Sequence, residues 1–446
     1  MNKNIVIDFL NVYFACIEDN ILTAEIAIYN KNCVALAADS AVTISSGSET
    51  GKQKIYNGAE KLFALSKHHP VGLMIFGSGS LSSSPWEIVI KAYRKYLGQS
   101  SFSKLEEYAD DFFNFIETHD EIITQGMREE SCFQFLSGSV FSGLLESFNS
   151  TKDGTYWSTF NFDNYIVELE EYCNSALSVL SEIDFLDGFT HDDIDVAREF
   201  CLKYTSTICH QGLEAEKLPD PFLNLLNEIF AIMLCKKSDI GNTSGLVLAG
   251  YGNDDYYPKV LSYDVSGIFK NKLRKSLNKQ KCSDNGACGV TPFAQDDEVK
   301  SFMQGASPRV MDHLHDGYSN CFTQFVAQLD KILDSKVPDN LSIKDEIAQA
   351  SQILFSDLNE SVTNFLRENY INKVIDMVEF LPKQDIAYMA ESLVNLTAFK
   401  RKISDDSETV GGPIDVAVIS KFDGFIWVKR KHYFDKDLNY RFFSRP

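Results

Sequence analysis

Thr23 stands at the head of the run TAEIAIYNKNCVALAADSAVT, where a hydroxyl side chain opens one strand-like stretch and Asp39 closes the next. That layout points to an enzyme whose nucleophile is its own first residue. A threonine hydroxyl is a weak nucleophile until a base takes its proton, and the α-amine of a first-position threonine lies close enough to do so. The amine serves only when it is free, and twenty-two residues precede Thr23. Taken alone, a threonine opening an apolar strand is an ordinary β-former, and an aspartate after two alanines is an ordinary turn residue.

The elements that must hold these residues fall into three strand-rich blocks. AEIAIY, CVALAAD, KLFAL and VGLMIF lead into SPWEIVIKAYRKYLG, a helix with Ser84 as expected N-cap, Pro85 in the first turn and Gly98 at its end. SKLEEYADDFFNFIETHD is a second helix. Between about residues 121 and 240 apolar residues recur at three and four spacings, as in DNYIVELEEYCNSALSVLSEI and DPFLNLLNEIFAIML. Strands resume with SGLVLAGY and PKVLSYDVSG, followed by CSDNGACGVTPFAQ, expected as a loop, and the helix DDEVKSFMQG. More helix fills about 306 to 370, then LPKQDIAYMAESLVNLTAFK. The chain closes on PIDVAVIS and GFIWVKRK, joined at Asp423-Gly424, a strong hairpin signal. Runs of strands and runs of helices point to an α+β sandwich of layers, with the helical blocks as insertions.

Bulk composition narrows the function classes. The 446 residues are 44% hydrophobic and 24% charged, which is globular, and the net charge of −21 argues against broad nucleic-acid or anionic-membrane binding. Ten cysteines lie scattered without a framework, as free thiols in a reducing cytoplasm would. No HExxH is present, His313 and His315 fall on different sides of a helix, and Cys282 and Cys288 have no partnering CxxC, so neither metal nor cofactor is expected. The apolar segment before Thr23 is interrupted by Asp8 and followed by Glu18 and Asp19, unlike a signal peptide, and no window has the length of a membrane helix.

Lys61 in AEKLFAL and Gly77 in MIFGSGS follow Thr23 and Asp39 in order, and VGGPIDVAVISKFDGFIW closes the chain. With these residues the chain resembles the proteasome β-subunit family of the N-terminal-nucleophile hydrolases, including the simpler bacterial peptidase subunits of that fold. The resemblance covers the first block, the middle strands and the last block. It implies a four-layer αββα sandwich with helical insertions, divided as residues 1–22, 23–120 (core), 121–240 (insertion), 241–305 (core), 306–369 (insertion) and 370–446 (core). Thr23 would be the nucleophile. Lys61 would lower the proton affinity of the neighbouring amine, Asp39 would fix that lysine, and the Gly77 N–H would stabilise the oxyanion, a contact worth roughly 3 kcal/mol in comparable sites. Ile75 and its apolar neighbours would line a hydrophobic pocket.

The family pattern is altered at two places. Val410, rather than a serine, precedes Gly411-Gly412, and Phe293-Ala294-Gln295 stands where a second serine is expected. Gln295, Asp296, Asp406, Ser407 and Thr409 are the candidates for replacing that support. Leu22 stands where self-processed members have a glycine. Two readings stay open for residues 1–22: a translation start at position 22 from a non-standard codon, or a prosegment removed by self-cleavage. The resemblance implies a peptide or protein substrate and self-association into an oligomer; nothing in the sequence indicates an unfoldase partner. A non-catalytic scaffold subunit and a non-peptide amidase or acylase of the same superfamily are the competing functions.

Overall fold

A computed structural model describes residues 23–45, 53–215, 217–283, 285–336, 341–403, 411–435 and 437–443. The apolar runs at the start become β1 (Glu25–Tyr29) and β2 (Val34–Ala38), each buried along its whole length. Strands covered on both faces carry near-continuous apolar sequence, which is why neither run alternates cleanly with polar residues. The two form a hairpin in register Glu25↔Ala38 to Tyr29↔Val34. Its turn is tied by the Asn30 carboxamide oxygen, which accepts the backbone N–H groups of Asn32 (2.9 Å) and Cys33 (3.3 Å).

Next come β3 (Val42–Ser45), β4 (Gln53–Tyr56), β5 (Leu62–Ala64), β6 (Val71–Gly77) and the two-residue strands β7 (Ser80–Leu81) and β8 (Ser84–Pro85). The middle block supplies β9 (Ser244–Gly250), β10 (Lys259–Phe269), β11 (Lys272–Leu277) and β12 (Gly289–Pro292), and the last block β13 (Asp415–Ser420) and β14 (Gly424–Lys429). One five-stranded sheet runs β12-β1-β2-β13-β14 and another β11-β10-β9-β6-β5, with antiparallel pairing throughout. Many helices accompany the sheets, making a mixed α/β protein.

Alternation along β1 decides which side chain meets which layer. Ala24, Ile26 and Ile28 pack with Ile386, Ala390 and Leu393 of the helix Lys383–Ile403. Ala27 and Tyr29, on the opposite face, pack with Leu62, Met74, Val247 and Val260 of the other sheet. Thr23 and Glu25 have the same parity as Ala27, so they too face the second sheet. The far side of that second sheet, through Leu73, Ile75, Leu246 and Leu248, packs on Trp86, Val89 and Tyr93 of the helix Trp86–Leu97 and on Phe112 of the helix Leu105–Thr118.

Helices between Gln125 and Cys235 build a separate core around Leu136, Phe141, Phe222 and Phe230. Arg274 of β11 ties it to the sheet. Its guanidinium is fully buried, donates to the carbonyls of Leu234 and Met233 at 3.0 Å each, and lies 4.1 Å from the Phe135 ring centroid. Arg274→Met would leave both carbonyls without those donors, and a fall of roughly 2–4 kcal/mol in unfolding free energy is expected by urea titration.

Of four local expectations, two fail in the structure and two hold. Ser84 does not cap the first helix: Ser84 and Pro85 pair with Ser80 and Leu81, and the helix begins at Trp86, whose N–H donates to the Gly79 carbonyl. Gly98 does end it, with φ 54°. The stretch expected as a loop contains β12, because the open edge of β1 offers its backbone groups to residues 289–292. The closing hairpin forms as expected, with Ser420 opposite Gly424 and the glycine at φ 79°.

Candidate active site

Thr23, Asp39 and Lys61 arrive from three segments and meet at one end of the β1–β2 hairpin, and Glu25 joins them. All four are buried. The Lys61 ammonium pairs with Asp39 Oδ1 at 2.5 Å and lies 3.1 Å from Glu25 Oε1. Thr23 Oγ1 donates to Glu25 Oε2 at 2.8 Å.

The two carboxylates differ in their surroundings. Asp39 accepts from Lys61 Nζ and from three backbone N–H groups, those of Ala24 (3.3 Å), Ala41 (3.4 Å) and Gly411 (3.0 Å). Its own N–H donates to the Ala24 carbonyl, which locks the end of the hairpin. Among the described residues Glu25 accepts one hydrogen bond of good geometry, from Thr23, while Oε1 makes none despite its nearness to Lys61. One ammonium therefore serves two buried carboxylates. Burial pushes the Glu25 carboxyl up to about 7, against the opposing pull of Lys61 and with a further push from Asp39.

The glycine pair before β13 shapes the other side of Asp39. Beyond the Gly411 N–H, the Gly411 carbonyl accepts from Ser40 N, and the Ser40 hydroxyl donates to the Pro413 carbonyl. Gly412 is at φ 78°, and a Cβ there would lie 2.9 Å from Asn57 Cβ. Of the other expected supports, Gln295 donates its backbone N–H to the Thr23 carbonyl at 3.0 Å, and Phe293 does the same to Glu25, extending the β12 pairing. Asp296 instead binds Lys300, one turn on in its own helix. Asp406, Ser407 and Thr409 lie outside the described residues.

Gly77 sits at the end of β6 opposite Ser244, two residues past Ile75, whose N–H donates to the Lys61 carbonyl. The described hydrogen bonds do not join it to Thr23. Its φ is 72°, and a Cβ would meet the Thr243 carbonyl oxygen at 2.5 Å. Gly77→Ala is expected to cost about 1–3 kcal/mol through strain, read as a lowered melting temperature. Ile75, expected beside the nucleophile, points the other way, into the helix-facing core. Alternation brings Phe76 instead to the inter-sheet side, against Phe293 with ring centroids 5.7 Å apart.

Sequence reading did not single out Glu25 and Lys281. An acidic residue inside a strand buried on both faces was the available signal for Glu25. Lys281 reaches the same region from the segment after β11. Its ammonium donates to the Phe293 carbonyl at 2.6 Å and lies 5.5 Å from the Phe76 ring centroid. Burial lowers its pKa, opposed by Asp296, Asp264 and Glu25. Among the described residues no group of His, Cys, Asp or Glu has an arrangement that could hold a metal ion, and no helix is long and apolar enough to cross a membrane.

No protein-family model matches the chain, and no curated protein matches it. Among solved structures it is similar to the Anbu (Gly-1) mutant from Hyphomicrobium sp. strain MC1, at 10% sequence identity over 95% of this chain and 92% of that one, with a TM-score of 0.27. So low a score says nothing of what this chain does.

Proposed function

We propose that the chain is a threonine-type N-terminal-nucleophile hydrolase resembling proteasome β subunits, which cleaves an amide bond, and in the leading reading a peptide bond, with Thr23 as nucleophile. The observation that carries this reading is the buried meeting of Thr23, Asp39 and Lys61, drawn from separate segments around a hydroxyl. The packing of helix, sheet, sheet and helix supports a four-layer αββα sandwich, with residues 121–240 and 306–369 as insertions. Asp39, held by three backbone donors and Lys61, fixes the lysine. Lys61 supplies the positive potential that lowers the proton affinity of its neighbours. The Gly77 N–H is assigned to the developing oxyanion.

Thr23 begins the nucleophilic step only when its hydroxyl loses a proton, so the site needs a base within hydrogen-bond reach. In the family pattern the free α-amine fills that role. One observation favours a non-catalytic scaffold: Val410 and Phe293-Ala294-Gln295 stand where the family pattern has its supporting serines. Turnover separates the readings. Purified chain incubated with fluorogenic peptides and with small N-acyl amides should cleave the peptides. Preference for the small amides would move the reading to an amidase or acylase, and folded protein inert toward both sets would favour the scaffold.

A further inference from the structure

Glu25 and Asp39 share one buried ammonium but differ in what else holds them. Asp39 accepts from Lys61 and from the N–H groups of Ala24, Ala41 and Gly411, none of which is a nucleophile. Among the described residues, the well-formed hydrogen bond to Glu25 comes from the hydroxyl assigned as nucleophile, at 2.8 Å, with the Lys61 ammonium 3.1 Å from the other oxygen. The 2.8 Å separation is the reach a general base requires. The Glu25 side chain is wholly enclosed in the resting chain.

We propose that Glu25 is the general base that accepts the Thr23 hydroxyl proton, so that the nucleophile can act without a free α-amine. This rests on the reading of Thr23 as nucleophile. Among the described residues the groups facing Glu25 are Thr23 just before its own strand, Asp39 just after β2, Lys61 just before β5 and Lys281 after β11. Asp39 stays an anchor for Lys61, and Glu25 titrates in the neutral range where a base both holds and releases a proton.

Protons and electron pairs balance along the path. As the proton passes from Thr23 Oγ1 to Glu25 Oε2, Oγ1 bonds to the carbonyl carbon and the carbonyl π pair moves to its oxygen. When that pair returns, the C–N bond breaks and Glu25 gives its proton to the departing amine. A water then yields a proton to Glu25 and bonds to the ester carbon. The Thr23 oxygen leaves and takes that proton back.

A fluorescent β-lactone, which acylates a hydroxyl by ring opening, tests this on the full chain, with intact mass and peptide mapping to show which species carries the label. Chains that retain residues before Thr23 should label at Thr23, at a rate that rises as pH passes upward through about 7. Glu25→Gln, close to isosteric, should slow labelling about 10²–10⁴-fold, the usual worth of a general base, and Glu25→Asp should recover part of it. Labelling confined to chains beginning at Thr23, a wild-type rate in folded Glu25→Gln, or a wild-type rate flat between pH 6 and 8 would each overturn the role of Glu25 while leaving Thr23 as nucleophile. Absence of label on Thr23 in every species would remove both.

Discussion

Lys61→Met should destabilise the chain by about 3–5 kcal/mol, the usual cost of leaving a buried charge without its partner. Among the described residues Lys61 is the one cation within ion-pair distance of Glu25 and Asp39, and all three side chains are almost fully enclosed. Methionine keeps the length of the stem and removes the charge, so two carboxylates would face each other in a poorly solvated space. They would respond by holding protons. A carboxyl whose folded pKa is raised binds more protons folded than unfolded, so its contribution to stability falls as pH rises through the gap between the two values. For Glu25 that gap already runs from 4.5 to about 7, and loss of Lys61 widens it. The deficit of Lys61→Met against the parent chain should therefore be larger at pH 8 than at pH 5, by urea unfolding at both. Equal stability at pH 8 would show that the pair is not the buried ionic contact described here.

Thr23→Ala should abolish hydrolysis, with a fall on the order of 10⁴–10⁶ in kcat, as for other enzymes that lose their nucleophile. Stability should move little. The Thr23 side chain contributes one hydrogen bond, to a carboxyl that keeps Lys61 beside it, and the change should cost roughly 1 kcal/mol. That contrast separates chemistry from architecture, because Lys61 carries both and Thr23 only the first. Thr23→Ser keeps the hydroxyl and should retain activity. A Thr23→Ala chain that still turns over peptide at the parent rate would place the nucleophile elsewhere.

How much of this was legible in the sequence depends on the range of the forces involved. EIAIY and VALAA read as strands because a strand covered on both faces has no place for polar residues, and the helical blocks read as helices from their three and four spacings. The same rule left Glu25 as the discordant residue, but its meaning lay in Lys61, and no local pattern specifies that pairing. Strand β12 hid among glycines and polar residues, because what makes it a strand is the edge of β1 rather than its own propensity. Gly77 was legible as the expected oxyanion donor, but not its close contact with the Thr243 carbonyl, which is distant in sequence. Lys281 stands among other lysines in a polar stretch, and only the fold sets it between Phe76 and Phe293.

Trapping of the acyl intermediate tests the central claim most directly. A slowly deacylating activated ester, added to the purified chain and quenched in acid, should leave an acyl group that peptide mass mapping places on Thr23 and that is absent from Thr23→Ala. An acyl group mapped to another side chain, or equal turnover by the two chains with nothing on Thr23, would contradict it.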